Sequence, residues 1–194
     1  MANPNQVLFD TIAFVGVGLI GGSMALDIRA GGLARQLVGY ARRAETREDI
    51  ARLGLVDRVV ASLPEAVADA DRVVLCVRVG AMGQVAQDIA QHLKPGAVVT
   101  DVGSVKRQVL RDLRAHLKPE NPIIGGHPLA GTENSGPSAA LSGLYRNRWC
   151  VLTPEADTSI VALDKVRQLW EALGSHVEVM DADHHDKVLA ITSH

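Results

Sequence analysis

The sequence predicts an α/β fold in which helices cover both faces of a doubly wound, mainly parallel sheet. Three observations carry this. Short apolar runs alternate with longer segments of 3.6-residue period along almost the whole chain. The runs are crowded with β-branched residues and nearly free of polar alternation, as strands buried on both faces must be. A glycine-rich run then follows the first of them directly, GVGLIG over 16–21, where such folds turn from strand to helix.

In order, the predicted strands are IAFVGV (12–17), QLVGYA (36–41), RVVLCV (72–77), AVVTDV (97–102) and PIIGG (122–126). Turn residues bound each one. Between them helical patterns run over roughly 20–30, 44–53, 64–69, 81–93 and 105–116. Strands that alternate with helices pair in parallel through right-handed crossovers. RWCVLTP (148–154), an amphipathic helix near 158–173 and HVEVM (176–180) continue the pattern. The closing DADHHDKVLAITSH begins like a capped helix and is still helical where the chain stops. The expected organisation is therefore one dinucleotide-binding domain over 1–180, with 181–194 opening a helix that leads elsewhere.

Composition narrows the function. A formal net charge of −2, with no long basic run, disfavours a nucleic-acid footprint. Six aromatic residues (two each of Trp, Tyr and Phe) are too few for a base-stacking surface. The apolar stretch 12–26 is too short and glycine-rich to span a bilayer, and Asp10 with no preceding Lys or Arg denies it a signal-peptide flank. Two distant cysteines, Cys76 and Cys150, suggest no disulfide framework. A cytoplasmic protein, without membrane or nucleic-acid partners, is expected. Cys76, inside VVLC, reads as an inert buried thiol.

In its strand-to-helix setting the glycine run has a mechanism. Gly16 permits the tight turn, Gly18 lets backbone N–H groups approach a pyrophosphate, and Gly21 lets helix and strand pack closely. The helix N-terminus adds partial positive charge for the phosphates. Leu19 and Ile20 in this loop, with Cys76 and Val77 at the end of the 72–77 strand, complete the expected cofactor contacts. At the end of the second strand Ala41 stands where an acid would bond the ribose 2′-hydroxyl of NAD. Arg42 and Arg43 follow it. Two guanidiniums without a carboxylate suit the 2′-phosphate of NADP, and one charge-assisted bond of about 1.5–3 kcal/mol would favour it over NAD. The alternative is a solvated arginine pair ahead of a helix.

TDVGSVK (100–106) and GGHPLAGTE (125–133) fall where strands should end, the side on which ligands of open α/β sheets bind. Ser104 and His127 would meet there. A histidine bonded to a serine beside a hydride acceptor suits removal of a proton from an alcohol, whereas the alternative is a buried structural histidine. His184 and His185 resemble metal ligands only superficially, since adjacent helical residues diverge and no zinc set is completed. No metal is expected. Asp183 and Asp186 read as favourable charges in a first helical turn.

Taken together, GVGLIGGS, TDVGSVK, GGHPLAGTE and HHDKVLAITSH resemble the prephenate/arogenate (cyclohexadienyl) dehydrogenases of tyrosine biosynthesis, in register from 12 to 194. The resemblance implies oxidative decarboxylation of prephenate or arogenate, with hydride passing to NAD(P)+. It implies His127 as the base that draws off the ring hydroxyl proton, and Ser104 as the serine that bonds both that histidine and the hydroxyl. Thr132, Glu133 and His185 would line the substrate pocket, although Glu133 also reads as a solvated loop acid. It further implies a helical C-terminal domain, absent from this chain, that makes the family's homodimer and supplies an arginine for the substrate carboxylates. Arg78 stands where the family usually has proline, either as a phosphate contact or pointing to solvent. Two rival readings are a β-hydroxyacid or imine reductase and a non-catalytic nucleotide sensor, which would have no need of Ser104 and His127 together.

Overall fold

A computed structural model describes residues 7–192. Ser193 and His194, and the first six residues of the expected 1–180 domain, lie outside them. The strands are β1 (Phe9–Val15), β2 (Ala34–Tyr40), β3 (Arg58–Val60), β4 (Arg72–Leu75), β5 (Val98–Asp101), β6 (Ile123–Pro128), β7 (Trp149–Pro154) and β8 (His176–Val179). The helices are α1 (Leu19–Ala30), α2 (Ala44–Arg52), α3 (Leu63–Val67), α4 (Met82–Ile89), α5 (Arg107–Arg114), α6 (Ile160–Ala172) and α7 (Ala182–Thr192). All eight strands form one sheet in the order β3-β2-β1-β4-β5-β6-β7-β8. β1 to β6 pair in parallel, β7 joins antiparallel to β6, and β8 pairs parallel to β7. Among the described residues no helix is long and apolar enough to cross a membrane.

β1 shows why the sheet is wound on both sides. Successive strand side chains point to opposite faces. Ile12 and Phe14 enter one core with Met24 and Ile28 of α1 and Leu169 and Trp170 of α6. Ala13 and Val15 enter the other with Val67 of α3, Met82 and Ile89 of α4, and Val109 and Leu113 of α5. Each large apolar side chain so buried contributes about 1.5–3 kcal/mol.

The structure departs from the sequence expectation at several elements. β3 is only three residues, too short for its alternation to show. β4 ends at Leu75, short of the expected Val77, and the Cys76 carbonyl lies against the glycine loop. The segment expected as one helix over 81–93 is a 3-10 turn, Val79–Ala81, followed by α4. Arg72 opens β4 fully buried, its guanidinium carbon 5.3 Å from the centre of the Phe9 ring. Its three guanidinium nitrogens have no hydrogen-bond partner among the described residues. Burial lowers its pKa to about 9.

Candidate active site

Because β1 to β6 are parallel, their C-terminal ends share one edge of the sheet. The chain leaves that edge at Gly16, Ala41, Cys76, Val102 and Leu129, so segments far apart in sequence gather there. Strand order reverses between β1 and β4, which is where open sheets of this kind bind ligands.

The β1–α1 turn separates two reasons for glycine. At Gly16, φ is +89° and an added Cβ would stand 2.8 Å from the Cys76 carbonyl oxygen and 3.2 Å from Val77 Cγ1. At Gly21 a Cβ would stand 2.8 Å from the Gly16 carbonyl oxygen and 3.1 Å from Cys76 Sγ. Both glycines are required by the protein's own packing. Gly18 is different: a Cβ there would meet nothing nearer than the Gly136 nitrogen, 4.0 Å away. The packing of the described residues does not require glycine at 18, and the space beside it is open. Gly18 caps α1 with no side chain on the helix's first N–H groups and no acid in the first turn. An uncapped N-terminus beside cleared space fits a dinucleotide pyrophosphate. Leu19 and Ile20 start the helix, Leu19 buried and Ile20 partly so. Cys76 is half-buried as a residue, its carbonyl and sulfur form the wall against Gly16 and Gly21, and burial pushes its thiol pKa up, as an inert buried thiol requires.

Arg42 and Arg43 lie exposed after β2, with Arg43 at the N-cap of α2. The turn is held from beneath by Arg47, whose guanidinium donates to the Ala41 and Arg42 carbonyls at 2.8 and 2.9 Å. Arg78 is exposed at the start of the 3-10 turn after β4.

The segment after β6 crosses back over α1. The Leu141 amide donates to Ser23 Oγ at 2.9 Å, the Gly143 amide to the Asp27 carboxylate at 3.0 Å, and the Tyr145 hydroxyl to the Ile20 carbonyl at 2.6 Å. These bonds seat the 141–145 end of the segment on α1, and the Gly136 nitrogen comes within 4.0 Å of a Cβ placed at Gly18. Thr132 and Glu133 are both exposed, and Thr132 Oγ1 accepts from the Asn134 amide at 3.2 Å.

His127 sits near the end of β6, half-buried. Its Nδ1 is 2.9 Å from His185 Nε2, and the two rings meet edge to face. Among the described residues nothing bonds Nε2. Burial first, then the neighbouring His185 and Lys106, push the His127 pKa down to about 4 against the pull of Asp186. The ring is neutral at pH 7.

Two expectations change here. The partner of the His127 ring is His185 and not Ser104, which lies exposed in the loop after β5. His185 does not line an open pocket: it is fully buried, with its other ring nitrogen 2.7 Å from Asp186 Oδ1. Asp186 turns away from its own helix and caps α5, accepting from the Lys106 and Arg107 amides at 2.8 and 3.1 Å. Burial works to raise the Asp186 carboxyl, but the Lys106 amide, the His185 ring and the Arg107 amide hold it below the usual carboxylate range. Asp183 does stand in the first turn of α7, where it pairs with the Arg107 guanidinium at 2.6 Å.

Sequence reasoning also missed a buried ion pair beneath the site. Lys106 Nζ contacts the Asp101 carboxylate and donates to the Gly126 carbonyl at 2.7 Å, with both side chains fully buried. Asp101 accepts in turn from the Gly103 and Gly126 amides at 2.7 and 3.2 Å. Burial raises the Asp101 carboxyl and lowers the Lys106 ammonium, each opposed by the partner's charge. The pair ties the loop of Ser104 to the strand of His127. Its only sequence signal was a lysine ending the TDVGSVK run.

Known proteins resemble the chain over nearly its whole length. The family model for the prephenate dehydrogenase nucleotide-binding domain matches residues 24–179. A cyclohexadienyl dehydrogenase from Zymomonas mobilis is 41% identical over 189 residues, covering 97% of this chain and 64% of the relative. The structure of Aquifex aeolicus prephenate dehydrogenase in complex with hydroxyphenyl propionate and NAD+ superposes with a TM-score of 0.85 at 34% identity, over 92% of this chain and 62% of that one. A Synechocystis arogenate dehydrogenase gives a TM-score of 0.87 at 33% identity, over 94% of this chain and 64% of that one. The chain thus spans less than two thirds of the length of these three relatives. From the matched model, the fold and the sequence identity together, the chain belongs to the prephenate dehydrogenase family, in its nucleotide-binding domain.

Proposed function

We propose that the protein takes part in oxidative decarboxylation of prephenate or arogenate in tyrosine biosynthesis, with NADP preferred over NAD. The observation that carries this is His127 held at one ring nitrogen by His185 and, among the described residues, uncommitted at the other, at the strand-end edge where the glycine turn also lies. A bound nicotinamide dinucleotide supplies the hydride acceptor. The N-terminus of α1 would hold its pyrophosphate, with Gly16, Leu19, Ile20, Gly21, Cys76 and Val77 shaping the wall. Arg42 and Arg43 are free to grip a 2′-phosphate, which arginine binds in bidentate fashion.

In this reading His127 Nε2 accepts the proton of the ring hydroxyl as its carbon is oxidised, and loss of the carboxylate then aromatises the ring. Ser104, exposed on the adjoining loop, bonds that hydroxyl. Thr132 and Glu133, exposed on the loop after β6, face the substrate. The two free cysteines suit a reducing cytoplasm, and the full-length protein is assigned as a homodimer.

The test is absorbance of the reduced nicotinamide on mixing the protein with each pairing of NAD+ or NADP+ with prephenate or arogenate. Turnover with NADP+ and one ring substrate is expected. Tight cofactor binding by the full-length protein with no turnover of either substrate would defeat the reading in favour of a nucleotide sensor.

A further inference from the structure

The chain from Asp186 through His185 to His127 crosses two elements and ends on the proposed base. Asp186 is ionised, so its oxygens only accept. One of them is 2.7 Å from His185 Nδ1, and that nitrogen must therefore carry a proton. In a neutral His185 the other nitrogen, Nε2, is then an acceptor. It lies 2.9 Å from His127 Nδ1, which must be the donor. A neutral His127 with its proton on Nδ1 has a bare lone pair on Nε2. With a single proton on His185, these hydrogen bonds select one tautomer of His127, the one that accepts a proton on the open side.

We propose that His185 and Asp186 are positioning residues that fix the tautomer and orientation of His127 and stabilise its cation once it has taken a proton. This rests on the assignment of His127 as base. The proton-transfer step is balanced within that site: the substrate O–H bond breaks, an Nε2–H bond forms, and the charge gained by His127 faces Asp186 through His185. The logic is that of a carboxylate and an imidazole acting in series behind a reacting group, with a second imidazole inserted. The anchor is rigid for a physical reason. The Asp186 carboxylate closes the N-terminus of α5 with two amide bonds, and Asp183 pairs with Arg107 one turn earlier. α7 itself starts from Asp181, whose carboxylate accepts from the His184 amide at 2.8 Å. His185 is fully buried and both its ring nitrogens are engaged, so no nitrogen remains for a substrate.

Two readouts test the proposal separately from the reaction. In long-range proton–nitrogen NMR spectra of the protein without ligand, His127 should show a protonated Nδ1 and an unprotonated Nε2. In turnover measurements, His185→Leu, which keeps the bulk and removes the acceptor, should lower kcat about 100-fold with KM within about twofold. His185→Gln, whose amide oxygen replaces Nε2 as acceptor, should restore most of that loss. A purely packing role predicts the opposite order, since Leu fills an apolar site better than Gln. His127 found with its proton on Nε2 in the unmodified protein would overturn the inference, and so would equal losses in the Leu and Gln variants. The expected tautomer in a protein that turns over neither substrate would support the positioning role and overturn the proposed reaction.

Discussion

Gly16 and Cys76 approach so closely that no side chain fits between them: a Cβ on Gly16 would lie 2.8 Å from the Cys76 carbonyl oxygen, with φ already at +89°. Two residues along, the same addition at Gly18 finds open space to 4.0 Å. One turn therefore holds a glycine that the packing requires and a glycine that the packing does not. Gly16→Ala should destabilise the protein by about 1–3 kcal/mol, read as a lower urea midpoint, because it combines backbone strain with a carbonyl clash. Gly18→Ala should leave that midpoint within about 0.5 kcal/mol while weakening dinucleotide binding at least about tenfold by titration calorimetry. Equal losses of stability in the two variants would remove the argument that Gly18 clears space for a ligand.

Cofactor choice is tested at the exposed pair after β2. Arg42→Ala and Arg43→Ala together should weaken NADP+ binding by about tenfold to a hundredfold or more and leave NAD+ nearly unchanged. Binding of both cofactors measured by fluorescence titration decides it. A parallel fall for the two would mean the arginines serve the shared part of the molecule, and no change would make them a solvated pair.

The neutral state of His127 has a pH signature. Its folded pKa, about 4, lies below the ordinary value of 6.5. Between those values the unfolded chain binds a proton that the folded chain refuses, so His127 stabilises the fold least at low pH. Its contribution is fully present above about 6.5 and declines as pH falls toward 4. The facing groups are His185 and Asp186 from α7 and Lys106 at the N-cap of α5. In a carbon-detected NMR titration the His127 midpoint should lie near 4, and Asp186→Asn should move it lower still, because Asp186 is the one neighbour that raises it. A midpoint at 6.5 in the unmodified protein would show that burial does not exclude the charged form.

Much of this site was legible before the structure, for reasons that differ by residue. The Gly16–Gly21 run is informative because each glycine answers a local constraint of one strand-helix turn. His127 was legible because a parallel sheet sends every strand end to one edge, whatever the tertiary detail. The bonds that organise the site were not, because they link residues distant in sequence. His185 reads as part of a polar helix start, and only the docking of α7 against β7 and α5 makes it a buried partner of His127. The loop after β6 carries no secondary-structure signal, and its path over α1 depends on Ser23, Asp27 and the Ile20 carbonyl. β3 was lost for a simpler reason, since Arg58–Val60 is shorter than any pattern that could declare it.

The buried pair beneath the site makes a stability prediction. Lys106→Met removes the ammonium and leaves the Asp101 carboxylate uncompensated at zero exposure. Breaking such a pair costs about 3–5 kcal/mol. Adding Asp101→Asn should recover part of the loss, because the amide keeps an oxygen for the Gly103 or Gly126 N–H and carries no charge. Chemical denaturation of the single and double variants checks this. A double variant no more stable than Lys106→Met would show that the pair matters for shape and not for charge.

Arg72 sets the opposite balance. It is fully buried, with its guanidinium beside the Phe9 ring, and among the described residues it has no salt-bridge or hydrogen-bond partner. A desolvated contact with an aromatic face contributes about 2 kcal/mol. Against it stand three nitrogens without hydrogen-bond partners among the described residues, and each buried unsatisfied group costs about 1–3 kcal/mol. The penalty exceeds the gain. Arg72→Met, which keeps the length and apolar stem, should therefore raise stability by about 1–3 kcal/mol at pH 7, whereas Arg72→Ala should lower it by opening a cavity. Urea midpoints of the two variants with an unchanged slope would bear this out. A Met variant that unfolds earlier than the parent would mean that the guanidinium is satisfied in solution and that β4 depends on its charge.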